Sequence, residues 1–311
     1  MKKTIIFLLM TVFVPAILTA GTTPYQFLRY NSSARSAGLA NCFVSMTGDP
    51  SGVFFNPATI STVTDKHFSA TFLKHILDIN SGNVSYIKNF ENIGTTAASV
   101  AYTSYGSFDY ADRYGARNGT FSANDLLFSV TYSNRLDTNL YYGASLKFLY
   151  ANIEKYYSTA LAVDAGIIYQ LPQYRTNIGF SVLHAGMQLS KFQEVSESLP
   201  LDIRLGVNNR LKGLPLLVNL SFHHLADDVD NFFERFLNFS VAGELYIGQY
   251  IDVRLGYDNN VRQMTTIEND RGFSGISGGL GIKTKYFNFD YGLAINGTAA
   301  LLHRFTIGME F

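Results

Sequence analysis

From Leu140 onward the chain alternates. Leu140, Tyr142, Ala144, Leu146, Phe148 and Tyr150 form one apolar series, with Gly143, Ser145 and Lys147 between them. Leu161, Val163, Ala165, Ile167 and Tyr169 make a second, interleaved with Asp164, Gly166 and Gln170. The rhythm returns at Ile203, Leu205 and Val207 against Asp202, Arg204 and Gly206, and at Ile251, Val253, Leu255 and Tyr257 against Asp252, Arg254, Gly256 and Asp258. Phe287, Phe289, Tyr291, Leu293 and Ile295 repeat it against Asn288, Asp290 and Gly292. The last residues, "RFTIGMEF", carry it to the end, with Phe305, Ile307, Met309 and Phe311 on the apolar side. Successive strand side chains point to opposite faces, so each run predicts a strand with one greasy and one polar face.

The connections narrow the class. "NRLDTN" at Asn134, "LPQYR" at Leu171, "GLPL" at Gly213, "IGQY" at Ile247 and "KYFN" at Lys285 read as tight turns. Between them lie longer polar stretches from Tyr105, Lys191, Ala226 and Asp258, although "INGTAA" after Ala294 is short. Short turns alternating with long loops, on strands that are apolar on one side and sparsely polar on the other, predict an all-β chain: a transmembrane antiparallel β-barrel of about 14 strands. An even count returns both termini to the periplasmic side. The final strand must then pair with the first, which removes both sheet edges. Its terminal aromatic, preceded by Phe305, Ile307 and Met309 at every second position, resembles the signal read by the bacterial barrel assembly machine, so these residues and Phe311 are expected to be an assembly signal.

Composition agrees with lipid contact. Charged residues are 15% and aromatic residues 14% of 311, with Gly 26 and no Trp, a low charge density for a globular chain. Lys+Arg 24 balance Asp+Glu 24, so no electrostatic case exists for binding nucleic acid. Met-Lys-Lys, an apolar run from Ile5 to Leu18 and the small residues after it predict an export signal over residues 1–20. Beyond it no apolar stretch reaches the length of a spanning helix, so a membrane protein here must be a barrel. Cys42 is the single cysteine, which excludes an internal disulfide.

Residues 21–64 lack the alternation and are expected to form a compact piece inside the lumen, ahead of a barrel over residues 65–311. Small side chains come first, then the turn formers around Asp49 and Pro50, then Asn56-Pro57, where an extended residue precedes a short helical turn. "SARSAGLANCFVSMTGDPSGVFFNPATIS" resembles the N-terminal signature of the PorV/PorQ family, itself similar to the FadL/TodX hydrocarbon transporters. The matching positions are Ser33, Ala34, Arg35, Gly38, Phe43 and Val44, then Asp49, then Phe55, Asn56, Pro57 and Ala58; Thr59 stands where many members carry glycine. The resemblance implies a 14-stranded barrel with this segment as a plug. It also implies a role in type IX secretion, with a translocon and exported cargo proteins as partners. The alternative it carries is a passive route for hydrophobic small molecules.

Catalytic chemistry finds little support. Gly275, Ser277 and Gly279 spell a nucleophile-elbow pattern, but they fall in a glycine-rich strand rather than a strand-turn-helix, so packing is the expected role. His223 and His224 precede Asp227, Asp228 and Asp230, a metal-like set; on a strand, however, adjacent histidines point apart and are not expected to share an ion. No enzyme activity and no cofactor are expected. Lys147, Asp164, Arg204, Asp252, Arg254 and Asp290 are expected to face the lumen, where their mixed signs would seal it through ion pairs.

Overall fold

The computed structural model describes residues 23–311 except 31, 64–65, 76, 112–113, 193–195, 230, 266–271 and 298–299. The expected export signal, the boundary at Thr64 and Asp65, and Asp230 lie outside the described residues. The strands are β1 (Lys66–Lys74), β2 (Asn80–Phe90), β3 (Gly94–Ala111), β4 (Arg117–Asp137), β5 (Leu140–Ile153), β6 (Tyr156–Leu171) and β7 (Thr176–Ser190). They continue as β8 (Asp202–Arg210), β9 (Leu216–Phe222), β10 (Phe239–Ile247), β11 (Ile251–Asp258), β12 (Ile276–Lys283), β13 (Phe287–Asn296) and β14 (Ala300–Glu310). All 14 join antiparallel in one closed barrel, each strand beside its sequence neighbours and β14 beside β1. At that seam Phe72 lies opposite Phe305 and Phe68 opposite Met309. The Phe311 amide donates to the Lys66 carbonyl at 3.0 Å, so the chain's last residue completes the closure.

The alternation read from sequence is the wall itself. Along β5 and β11 the apolar series faces outward, with Leu146 58% and Leu255 66% exposed, while Lys147 and Arg254 are buried inside. Among the described residues no helix is long and apolar enough to cross a membrane. Leu255→Arg is therefore expected to cost about 2–4 kcal/mol, the penalty for a cation on the lipid face near mid-bilayer. Urea unfolding in lipid vesicles measures it, and wild-type stability in the variant would refute the outward orientation.

One expected loop is sheet. The stretch from Tyr105 to Asp125 was expected to be a polar loop, yet β3 continues through it to Ala111 and β4 begins within it at Arg117. Both faces of this extension are exposed, so no burial contrast marks the strands in the sequence. Cross-strand pairs hold it instead: Phe108 stacks on Phe121 at 5.2 Å, and Arg117 bridges Asp109 at 2.7 Å. Two of the remaining long connections, after β9 and after β11, carry short helical pieces, Phe232–Leu237 and Asn259–Thr265.

Candidate functional site

After the 3₁₀ element Pro24–Tyr30, the segment before β1 continues in three short turns, each begun by a residue of the signature. Ser33 caps the helix Ala34–Gly38 by accepting from the Ser36 amide. Asp49 caps the 3₁₀ turn Pro50–Phe54 by accepting from Ser51, and Asn56 caps Pro57–Thr62 by accepting from Ala58. Asn56 is extended and Pro57 opens its turn, as the sequence predicts. Three short turns satisfy much of their own backbone, which suits a chain held in a confined space.

These turns bond to the inner wall on several sides. The Asn56 amide donates to the carbonyls of Val44 and of Ile167 on β6, both at 2.9 Å. Ser181 of β7 donates to the Phe55 carbonyl, and Asn208 of β8 to the Ser45 carbonyl. Across the barrel, the Ala34 amide donates to Thr306 of β14 at 2.8 Å. The segment thus contacts the β6 backbone and the inward residues Ser181, Asn208 and Thr306. Inward glycines give it room: a Cβ at Gly143 would stand 2.7 Å from the Ala58 nitrogen, and one at Gly256 2.7 Å from the Ala40 nitrogen. Gly279 and Gly38 approach each other in the same way, and Ser277 donates to the Gly38 carbonyl. The G-x-S-x-G run is thus a packing surface on β12.

Charge is concentrated between the segment and the wall. Arg35 pairs with Asp49 at 2.9 Å and with Glu244 of β10 at 2.6 Å. Glu244 also binds Arg254 of β11 at 2.7 Å and accepts from Tyr246. Arg254 reaches Asp290 of β13 at 2.6 Å and Asp252 at 3.2 Å, and Lys283 closes the chain on Asp252 at 2.7 Å. A second group gathers Lys147, Asp164 and His184: the lysine pairs with the carboxylate, which accepts the His184 amide. Near it Arg204 pairs with Asp202. The expected lumen residues Lys147, Asp164, Arg204, Asp252, Arg254 and Asp290 all lie on inner faces, in two networks rather than one.

Glu244 and His184 were not anticipated. Glu244 stands alone in the apolar run "SVAGELYI", the kind of isolated acid that signals an inward charge. His184 sits where β6 and β7 slip register between Val163 and Ala165, with φ +62°, so the bulge turns it inward beside Leu183. The two adjacent histidines correct an expectation as well. β9 ends at Phe222, and His224 adopts φ +55°, so both rings turn inward and lie 4.7 Å apart. They serve different acids, His223 near Asp258 at 3.5 Å and His224 on Asp202 at 3.2 Å. Cys42 packs in the segment, its thiol pushed up to about 12 by burial and donating to the Ser240 carbonyl.

Phe305, Ile307 and Phe311 point outward, at 53%, 39% and 63% exposure, with Met309 partly covered on the same face. The arrangement as a whole is a closed wall whose inner face carries both charged residues and apolar ones such as Ile87, Leu127 and Leu149, with the inner segment packed and bonded against it.

Comparison with known proteins gives a consistent result. The model of a family described as type IX secretion system protein PorV matches residues 16–174. No protein of curated function matches. Among solved structures, the toluene transporter TbuX of Ralstonia pickettii superposes with a TM-score of 0.59 at 13% identity, over 90% of this chain and 99% of that one. The Pseudomonas putida toluene transporter TodX gives 0.58 at 10% identity over 88% and 95%. A FadL homologue of Pseudomonas aeruginosa gives 0.55 at 10% over 94% and 98%. At such identities the likeness is one of fold.

Proposed function

The chain belongs to the PorV family, whose barrels are outer-membrane proteins, and from that premise we propose that it assists type IX secretion as a sealed scaffold. In this reading it receives exported cargo and helps pass it to the cell surface, with the secretion translocon as partner. The observation that supports the reading is the bonding of the inner segment to the barrel wall. Arg35 and Asn56 tie the inner segment to β10 and β6 by ion pair and hydrogen bonds, a construction suited to a rigid body and adverse to a pore. Residues 1–20 direct export, residues 21–64 act as the plug, and both termini face the periplasm, with the long loops outside. At the loop end Phe232, Phe233 and Phe236 cluster with ring centroids 5.8 Å apart, and Phe232 and Phe233 are 63% and 74% exposed. Exposed aromatics of this kind suit a docking face.

Isolation of the protein from native membranes in mild detergent, followed by identification of what accompanies it, tests the assignment. Secretion components or cargo are expected. Their absence, together with reduced uptake of toluene or fatty acids in a deletion strain, would favour the second reading, which rests on the fold shared with TbuX and TodX.

The outward series ending at Phe311 supports a role in insertion by the barrel assembly machine. Removal of Phe311 is expected to lower the outer-membrane level severalfold while export across the inner membrane continues. Membrane fractionation with heat-modifiable migration checks this, and a normal level in the variant would remove Phe311 from that role.

A further inference from the structure

Buried cations of the inner face come with acids. Arg29 pairs with Asp227, Arg35 with Asp49 and Glu244, Lys147 with Asp164, Arg204 with Asp202, and Arg254 with Glu244, Asp252 and Asp290. Arg304 breaks the rule. It is 3% exposed on the inner face of β14, and among the described residues no carboxylate pairs with it and its Nε has no hydrogen-bond partner.

Its described strand partners are neutral, and Asp290, the acid opposite Thr306 on the same face, is held by Arg254. Its cross-strand partners are Leu73 of β1 and Gly292 of β13. The space beside Gly292 is taken by the backbone of Ala34. On the same face, two residues to either side, stand buried Leu302 and Thr306, and the Thr306 hydroxyl is already engaged with Thr71 and the Ala34 amide. His75, in the connection after β1, supplies no anion; burial first, and the Arg304 charge second, hold it down to about 4. Ser32, two residues before Ala34, has a buried hydroxyl without a partner. A lysine or histidine in this position could shed its proton, but a guanidinium stays charged, and a buried unpaired charge is costly. The forked donors of arginine match carboxylate and phosphate geometry.

We propose that Arg304 is the core of an oxyanion site inside the barrel wall, which takes a carboxylate or phosphate group entering from the long-loop end. Arg304 lies toward that end, since β14 begins there at Ala300 and runs to Glu310 beside the short turns. The site adjoins the Glu244 network at Asp290, whose carboxylate Arg254 already engages, and it does not depend on the secretion assignment.

Calorimetric titration of the full-length protein in detergent with acetate, inorganic phosphate and octanoate tests it. At least one probe is expected to bind the wild type and raise its unfolding midpoint. Arg304→Gln leaves no acid unpaired and is expected to fold, with that probe bound about tenfold or more weakly, as loss of a charged hydrogen-bonding partner implies. Arg304→Lys, which keeps the charge and loses the fork, is expected to bind in between. Octanoate binding above acetate would identify the head group of an amphiphile as the ligand, and phosphate or acetate binding as tightly would identify a hydrophilic ion. No binding by any probe to the wild type, or equal binding to wild type and Arg304→Gln, would overturn the proposal; should Arg304→Gln not fold, the wild-type midpoint and Arg304→Lys decide it.

Discussion

Glu244→Gln is expected to destabilise the barrel by about 3 kcal/mol, near the low end for breaking a buried ion pair from one side. Glu244 is fully buried and accepts from Arg35, Arg254 and Tyr246. The amide keeps the shape and removes the charge, so two buried guanidinium groups lose a shared counter-ion. The cost stays moderate because Asp49 still holds Arg35, and Asp290 and Asp252 still hold Arg254. Removing Arg35 as well relieves the excess positive charge, so the double variant Arg35→Gln, Glu244→Gln is expected to lose clearly less than the sum of the single losses. Urea unfolding in lipid vesicles of the two single variants and the double variant gives the coupling directly. Additive losses would mean that Arg35 and Glu244 touch without mutual stabilisation.

The residues that were legible in the sequence are those whose environment repeats along the chain. Leu255 meets lipid and Arg254 meets the lumen, so the contrast recurs every second residue and predicts the strands, their number and the closure of β14 on β1. Where that contrast fails, the reading fails. Phe108 and Phe121 pair across β3 and β4 beyond the buried part of the wall, with solvent on both faces, and nothing periodic betrays them. His223 and His224 were misjudged because strand geometry was carried past Phe222, whereas a positive φ at His224 turns the chain.

The inner segment was legible in its turns and not in its contacts. Asp49 before Pro50 and Asn56 before Pro57 are local signals of capped turns. The partner of Arg35, by contrast, is Glu244, 209 residues away, and no local pattern encodes that distance. Gly143 and Gly256 likewise read as sparse polar-face residues, and only the backbones of Ala58 and Ala40 against them explain why no side chain is tolerated there. Gly256→Ser would push against the Ala40 nitrogen and the Ser277 hydroxyl, each 2.7 Å from the added Cβ.

Single-channel conductance in planar bilayers tests the sealed lumen most directly. With residues 33–61 as the proposed plug, bonded to β6, β7, β8, β10 and β14, the intact protein is expected to carry almost no current. Deleting Ser33 to Ser61 should produce a steady open level, because a barrel of 14 strands is wider than the small barrels that wall side chains alone can fill. Loss of secretion partners with unchanged hydrocarbon uptake in the same variant would accord with a scaffold. Strong, stable conductance by the intact protein, or no change on deletion of the segment from a correctly inserted barrel, would contradict the account.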